Sequence, residues 1–204
     1  LTQYWRATRI WWENIEEQLP ILSQRPVYFI SSNTHTFVNL ISGFALEKQQ
    51  ELIRFLQYNE MDDLLAEWHV IKTDTDNNSV ENFLYYILKK VEQTVGCEEW
   101  NLAHQEILQQ IGVRQVPSVH SFDVEAQVVE LSKIDPHRLD PRVRDGDLYF
   151  LRRSDALLLN IDYPLGIAAY NILRMVAENT DNILGIYIMG KAATLNGVRG
   201  DIMI

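Results

Sequence analysis

An α/β fold, with a mostly parallel sheet flanked by helices and a helix-rich N-terminal region, is predicted by three observations. Two apolar strand-like runs, "ALLLNI" and "NILGIYIMG", are separated by a helical stretch, the pattern of parallel strands buried on both faces and joined by a crossover. A third run, "VYFISS" at 27–32, is β-branched and aromatic but lies far upstream among helical repeats. With 204 residues and 47% hydrophobic content, the chain can bury one large core or a tight pair.

The first helix is expected over 4–19, where Trp5, Thr8, Ile10, Trp12, Ile15 and Leu19 recur near helical spacing and Pro20 closes the run. Trp11 and Trp12 point to different sides of it, so at least one is expected to face a partner or another domain. After the strand at 27–32, a helix starts near Thr34 and ends at Gly43. A second, roughly 46–58, carries Leu46, Ile53, Phe55 and Leu56 toward a core. Residues 61–67 read as a helical turn or two, and "HVIKT" as a short strand. The polar cluster "TDTDNNS" ends on Ser79, an N-cap for a helix over 80–93 with Phe83, Leu84, Ile87, Leu88 and Val91 on one face. Gly96 breaks that helix, and another over 98–111 ends before Gly112.

The character changes after Gly112, dividing the chain into a helix-rich region at 1–112 and an α/β region at 113–204. Short β-rich runs come first, and "DPHRLDPRVRDGD" is an exposed loop or a boundary. The strand at 156–161, the turn and helix of "DYPLGIAAYNILRMVAENT" and the strand of "NILGIYIMG" then read as one βαβ crossover. A further strand begins at "DIMI".

Composition excludes several classes of function. A formal net charge of -10 argues against nucleic acid and anionic membrane as partners, while leaving room for a small phosphorylated ligand. The longest apolar stretch is interrupted by Asn160, Asp162, Pro164, Asn171 and Arg174, so it is not a membrane span. The lone Cys97 allows no internal disulfide and points to a reducing cytoplasm; Glu98 and Glu99 beside it disfavour a thiolate nucleophile. His69, His104 and His137 are scattered, and His120 with Asp123 is too common a spacing to mark a site, so neither a metal nor an organic cofactor is expected. The N-terminus lacks the features of a signal peptide. The missing initiator methionine and the stop inside "GDIMI" are read as marks of a fragment, a processed product or a shortened chain.

Two segments carry polar chemistry. Gly185 to Ala192 spells most of a phosphate loop, but "IYIM" belongs inside a strand and Ala192 stands where a magnesium-binding hydroxyl is required, so that reading fails. The alternative is a ligand-facing turn at a strand's carboxyl end: Gly190 and Ala192 allow close approach, Lys191 supplies a point charge and Thr194 a hydroxyl. A tight turn with small residues for packing alone stands beside it. The second segment is "SSNTHTFVNLISG", where Ser32, Asn33 and His35 follow a strand and Asn39 falls one helical turn after His35. Helix capping explains Asn33 or Thr34 but not the whole group.

The stretch "NILGIYIMGKAATLNGVRGDIMI" resembles the central segment of the nucleoside phosphorylase and nucleosidase superfamily. That family has an apolar strand, a loop of the type G-[ST]-[AC]-G-G-L, and then G-D-[IVY]-[VI]. Gly190, Ala192, Leu195, Gly200, Asp201 and Ile202 match, while the two adjacent loop glycines fall on Ala193 and Thr194. The resemblance covers about 157–204. It implies the opening half of the family's fold and a nucleoside or sugar phosphate as ligand, with phosphate as co-substrate. The implied reaction is N-glycosidic cleavage by stabilising an oxocarbenium-like sugar and protonating the leaving base. In it, the backbone at Gly190 with Lys191 and Thr194 would hold phosphate or the attacking water. The family's ribose-contacting Met-Glu segment and its base-protonating acid would fall beyond Ile204. The resemblance also makes a homo-oligomer plausible. A non-catalytic binding or assembly protein that keeps this scaffold is the alternative.

Overall fold

The computed structural model describes residues 2–73, 79–118, 124–164 and 166–190. The protein is α/β, and the described residues form a five-stranded sheet in the order β2-β3-β4-β1-β5. These strands are β1 (Val27–Ser31), β2 (Val113–Val116), β3 (Ala126–Glu130), β4 (Leu157–Ile161) and β5 (Ile183–Ile188). The sheet is mixed, not mostly parallel as expected. β1 pairs in parallel with both β4 and β5. β3 is the strand that departs. Its end lies at the start of β4, where Leu131 N donates to the Ala156 carbonyl at 3.3 Å, and at the start of β2, where Glu130 N donates to the Gly112 carbonyl at 3.0 Å, so it runs against both neighbours. Residues 117–125 between β2 and β3 are too few for a parallel crossover, which takes roughly a dozen residues or more.

The chain forms two compact units, each assembled from separated segments: Leu1–Thr34, Gln115–Gln127 and Leu157–Ile204 make a sheet unit, and His35–Arg114 with Val128–Ala156 make a helical unit. In the sheet unit, α1 (Thr2–Gln18) packs against α8 (Gly166–Asn179), the crossover helix between β4 and β5. Trp11, Trp12, Ile15 and Leu19 are all buried. Both tryptophans therefore lie inside, contrary to the expectation for one of them: neighbours about 100° apart on a helix fit within one broad apolar stripe. The Trp11 indole N–H donates to the Val124 carbonyl at 2.9 Å. β1 takes the centre of the parallel trio, so β4 and β5 do not touch directly despite being joined by α8. All five residues of β4 are buried. Among the described residues β5 is one edge of the sheet and β2 the other; Leu184, Ile186, Tyr187 and Ile188 of β5 are exposed, not covered on both faces as its composition suggested.

The helical unit is organised around α6 (Ser79–Glu92), which buries Phe83, Leu84, Ile87, Leu88 and Val91. Full burial of each such side chain is worth about 1.5–3 kcal/mol. Against it pack α3 (Phe44–Glu47), α4 (Gln49–Tyr58), α5 (Asp62–Thr73) and α7 (Glu98–Gln110). The helix expected over 46–58 is thus two, with Lys48 between them. "HVIKT" is helical, inside α5, not a strand. Asp62 and Asp63 in its first turn and Lys72 in its last complement the helix dipole, and Trp68 and Ile71 bury one face. The helix preceding α3 is α2 (Thr34–Ser42), and Gly43 between them has φ +63°. A Cβ at Gly43 would collide with the Arg138 carbonyl oxygen, so the position requires glycine twice over.

Candidate functional site

In the sheet unit, the register sets Ser31 opposite Ile161 of β4 and Ile188 of β5, so three parallel strands end at one level. The ladder continues to that edge: Ser32 N donates to the Ile161 carbonyl at 2.9 Å, and Met189 N to the Ser31 carbonyl at 2.8 Å. The carboxyl edge of parallel strands is where the chain turns away and where ligands of such sheets gather.

A buried polar relay underlies the edge. The Ser32 hydroxyl donates to Asn160 Oδ1 at 2.7 Å, Asn160 Nδ2 donates to Gln127 Oε1 at 3.0 Å, and Gln127 Nε2 donates to the Thr34 carbonyl at 3.1 Å. Ser32, Asn160, Gln127 and Thr34 are all buried, so each bond replaces lost water and fixes the strand ends. Above the relay, Asn33, Asp162, Tyr163 and Gly190 are exposed. A Cβ placed on Gly190 would lie 3.8 Å from the Tyr163 ring, so Gly190 and Tyr163 stand side by side at this edge. Asp162 offers a carboxylate that accepts hydrogen bonds from hydroxyls, and Tyr163 an aromatic surface.

The predicted site residues divide. Ser32 is the first donor of the relay, Asn33 is exposed beside it, and Gly190 lies two residues past the end of β5. Lys191, Ala192 and Thr194 lie outside the described residues, as do His120 and Asp123. His35 and Asn39 belong to the helical unit, where Asn39 Nδ2 donates to the His35 carbonyl at 2.9 Å and lies 3.3 Å from His35 Nε2. Asn39 is fully buried, and His35 Nε2 approaches the Tyr85 carbonyl at 3.4 Å. Burial, opposed by the Tyr85 carbonyl and the Glu92 charge, lowers the His35 pKa from 6.5. Sequence reasoning missed Asn160, Gln127, Asp162 and Tyr163 as site residues. The available signal was Asn160, a lone amide inside an otherwise apolar strand.

The helical unit holds a second polar assembly. Asp140 is fully buried and accepts from the Tyr85 hydroxyl, from Arg142 Nη2 at 2.7 Å and from Arg142 Nε at 2.9 Å. The Arg142 backbone N–H also donates to Asp140 Oδ1 at 2.8 Å, capping the short 3₁₀ turn Pro141–Val143. Burial alone would raise the Asp140 carboxyl, but the bonds from Arg142 and Tyr85 outweigh it and hold the pKa below its ordinary value. Burial and the Asp140 carboxylate push the Tyr85 phenol up. Each carboxylate oxygen is engaged, so the assembly fastens a loop and offers no open position.

Among the described residues, no group of three or more His, Cys, Asp or Glu side chains could hold a metal ion, and no helix is long and apolar enough to cross a membrane. No curated protein and no solved structure matches the chain. A family model does match it over residues 1–204, and the chain belongs to that family, the Family of unknown function (DUF6909).

Proposed function

We propose that the protein binds a nucleoside or sugar phosphate at the carboxyl edge of β4, β1 and β5. The observation that carries this reading is the juxtaposition of Asp162, Tyr163 and Gly190 at coincident strand ends, above the buried Ser32–Asn160–Gln127 relay. A carboxylate pairs with the hydroxyls of a sugar, and an aromatic ring stacks on a base. Lys191 follows Gly190 in the chain and supplies the charge for a phosphate.

The resemblance to nucleoside phosphorylases and nucleosidases extends the proposal to N-glycosidic cleavage, with phosphate as co-substrate. The second reading is a binding or assembly protein without the reaction, and the replacement of the loop glycines by Ala193 and Thr194 favours it. The exposed apolar residues of β5 support self-association under either reading. The single cysteine supports a reducing cytoplasm, and the charge of -10 argues against nucleic-acid or membrane partners.

Isothermal titration with adenosine, AMP, ribose 1-phosphate and inorganic phosphate tests the proposal. Binding is expected for a phosphorylated member of the set, weakened by Lys191→Ala and by Asp162→Ala. No binding by any of the four would sink it. Release of free base from adenosine, with or without phosphate, separates catalyst from binder.

A further inference from the structure

The helical unit contains a cleft of about 450 Å³ lined by Phe44, Lys48, Glu51, Arg54, Trp100 and Ala103, with Glu99 at its lip. That volume falls within the range of small-molecule sites, roughly 300–1,000 Å³. Its floor is aromatic and held in place. The Phe44 ring stacks face to face on His104, centroids 4.7 Å apart and planes 6° apart, and meets Trp100 edge-on at 6.2 Å and 81°. His104 is buried and held by a 2.6 Å contact from Nδ1 to Glu92 Oε1, so Phe44 rests against a fixed plate. His104 Nε2 is buried with no partner among the described residues, which leaves one unmet hydrogen-bonding position in the ring packed under Phe44.

The charges around this floor are arranged on two helices. Along α4 and the residue before it, Lys48, Glu51 and Arg54 recur every three residues on one face, and Lys48 is already paired with Glu51 at 3.0 Å. α7 contributes Glu99, one residue before Trp100. Among the described residues neither Arg54 nor Glu99 has an ion-pair partner, although both line the same cleft. α4 therefore contributes an uncommitted guanidinium to the cleft and α7 an uncommitted carboxylate, beside the rings of Phe44 and Trp100.

We infer that this cleft binds a small aromatic zwitterion of the amino-acid type. The ring packs on Phe44 and Trp100, the carboxylate meets Arg54, and the ammonium meets Glu99. A purely anionic ligand would face Glu99 and Glu51, and a purely cationic one Arg54 and Lys48, so only a ligand carrying both charges satisfies both uncommitted groups. The site lies wholly within the helical unit and is independent of the strand-edge proposal.

The test is isothermal titration of the intact protein with L-phenylalanine and L-tryptophan, alongside phenylacetate, phenethylamine and indole, which each lack one charge or both. L-phenylalanine or L-tryptophan should bind at least about tenfold more tightly than any of the three, the worth of one charge-assisted hydrogen bond. Arg54→Gln and Glu99→Gln should each weaken the zwitterion about tenfold while leaving the weak binding of indole unchanged. Both are lip substitutions that leave the core intact, and an unchanged thermal midpoint confirms that they fold. Trp100→Leu should weaken all the ring-bearing compounds together. Indole binding as tightly as L-tryptophan, zwitterion binding indifferent to Arg54→Gln and Glu99→Gln, or no binding by either amino acid overturns the inference.

Discussion

In the sheet unit the buried relay of Ser32, Asn160 and Gln127 is made only of neutral groups, whereas in the helical unit the assembly of Tyr85, Asp140 and Arg142 is centred on a carboxylate. Both fasten segments distant in sequence, and both leave their central side chain with no solvent exposure. The materials set different sensitivities. A neutral amide relay fails only when a member is removed, while a buried carboxylate also fails its partners when it is protonated. The sheet unit should therefore tolerate acid at its polar centre and the helical unit should not.

The largest effect should come from Asp140→Ala. It leaves the buried Tyr85 hydroxyl without its acceptor and removes the charge-assisted bonds from Arg142, whose guanidinium reaches solvent, and a loss of about 3–4 kcal/mol is expected in urea unfolding of the helical unit. Asp140→Asn keeps one acceptor oxygen, for either the Tyr85 hydroxyl or the Arg142 backbone N–H, which use different oxygens of Asp140, and should lose less. Next in size is Asn160→Ala, which leaves the Ser32 hydroxyl and the Gln127 side-chain carbonyl without partners, for a loss of about 2–3 kcal/mol. Hydrogen exchange localises the two losses. Faster exchange in α6 for Asp140→Ala, and in β1 and β4 for Asn160→Ala, keeps the comparison intact, and a common pattern breaks it.

Acid sharpens it further. Because burial lowers the folded pKa of His35 from 6.5, the unfolded chain takes up that proton first. The contribution of neutral His35 is complete above about pH 6.5 and is lost as pH falls toward its lowered value. Asp140, held below 3.8, contributes stability that is present above about pH 4 and lost as pH falls toward its depressed value. Urea midpoints measured from pH 8 to pH 3 should show both declines. His35→Gln should remove the upper one and Asp140→Asn the lower. The smallest effect should be Arg9→Ala on α1, whose exposed pair with Glu13 at 2.8 Å should change the midpoint by less than about 0.5 kcal/mol.

Much of the fold was legible. β1, β4, α8 and β5 stand where apolar runs and turn residues placed them, and the buried stripe of α6 is the one its periodicity indicated. The strand misread at "HVIKT" shows why short β-branched runs mislead. Val70 and Ile71 have strand propensity, but the charges at both ends of α5 and the burial of Trp68 and Ile71 on one face decide for helix. The exposure of β5 could not be read from its composition, because an apolar strand at an edge and one at a centre have the same spelling. Ser32 and Gly190 were legible as strand-end residues. Gln127 was not, since its role depends on β3 standing beside β4, and side-by-side order in a sheet is a long-range property.

Gly43 carries a consequence for reading other members of the family. Its left-handed backbone and its contact with the Arg138 carbonyl admit no side chain of any size. Among homologues the column at Gly43 should accordingly be monomorphic. A homologue with alanine or a larger residue there should also carry an altered 137–139 segment, so covariation between the two would record the same contact across evolutionary time.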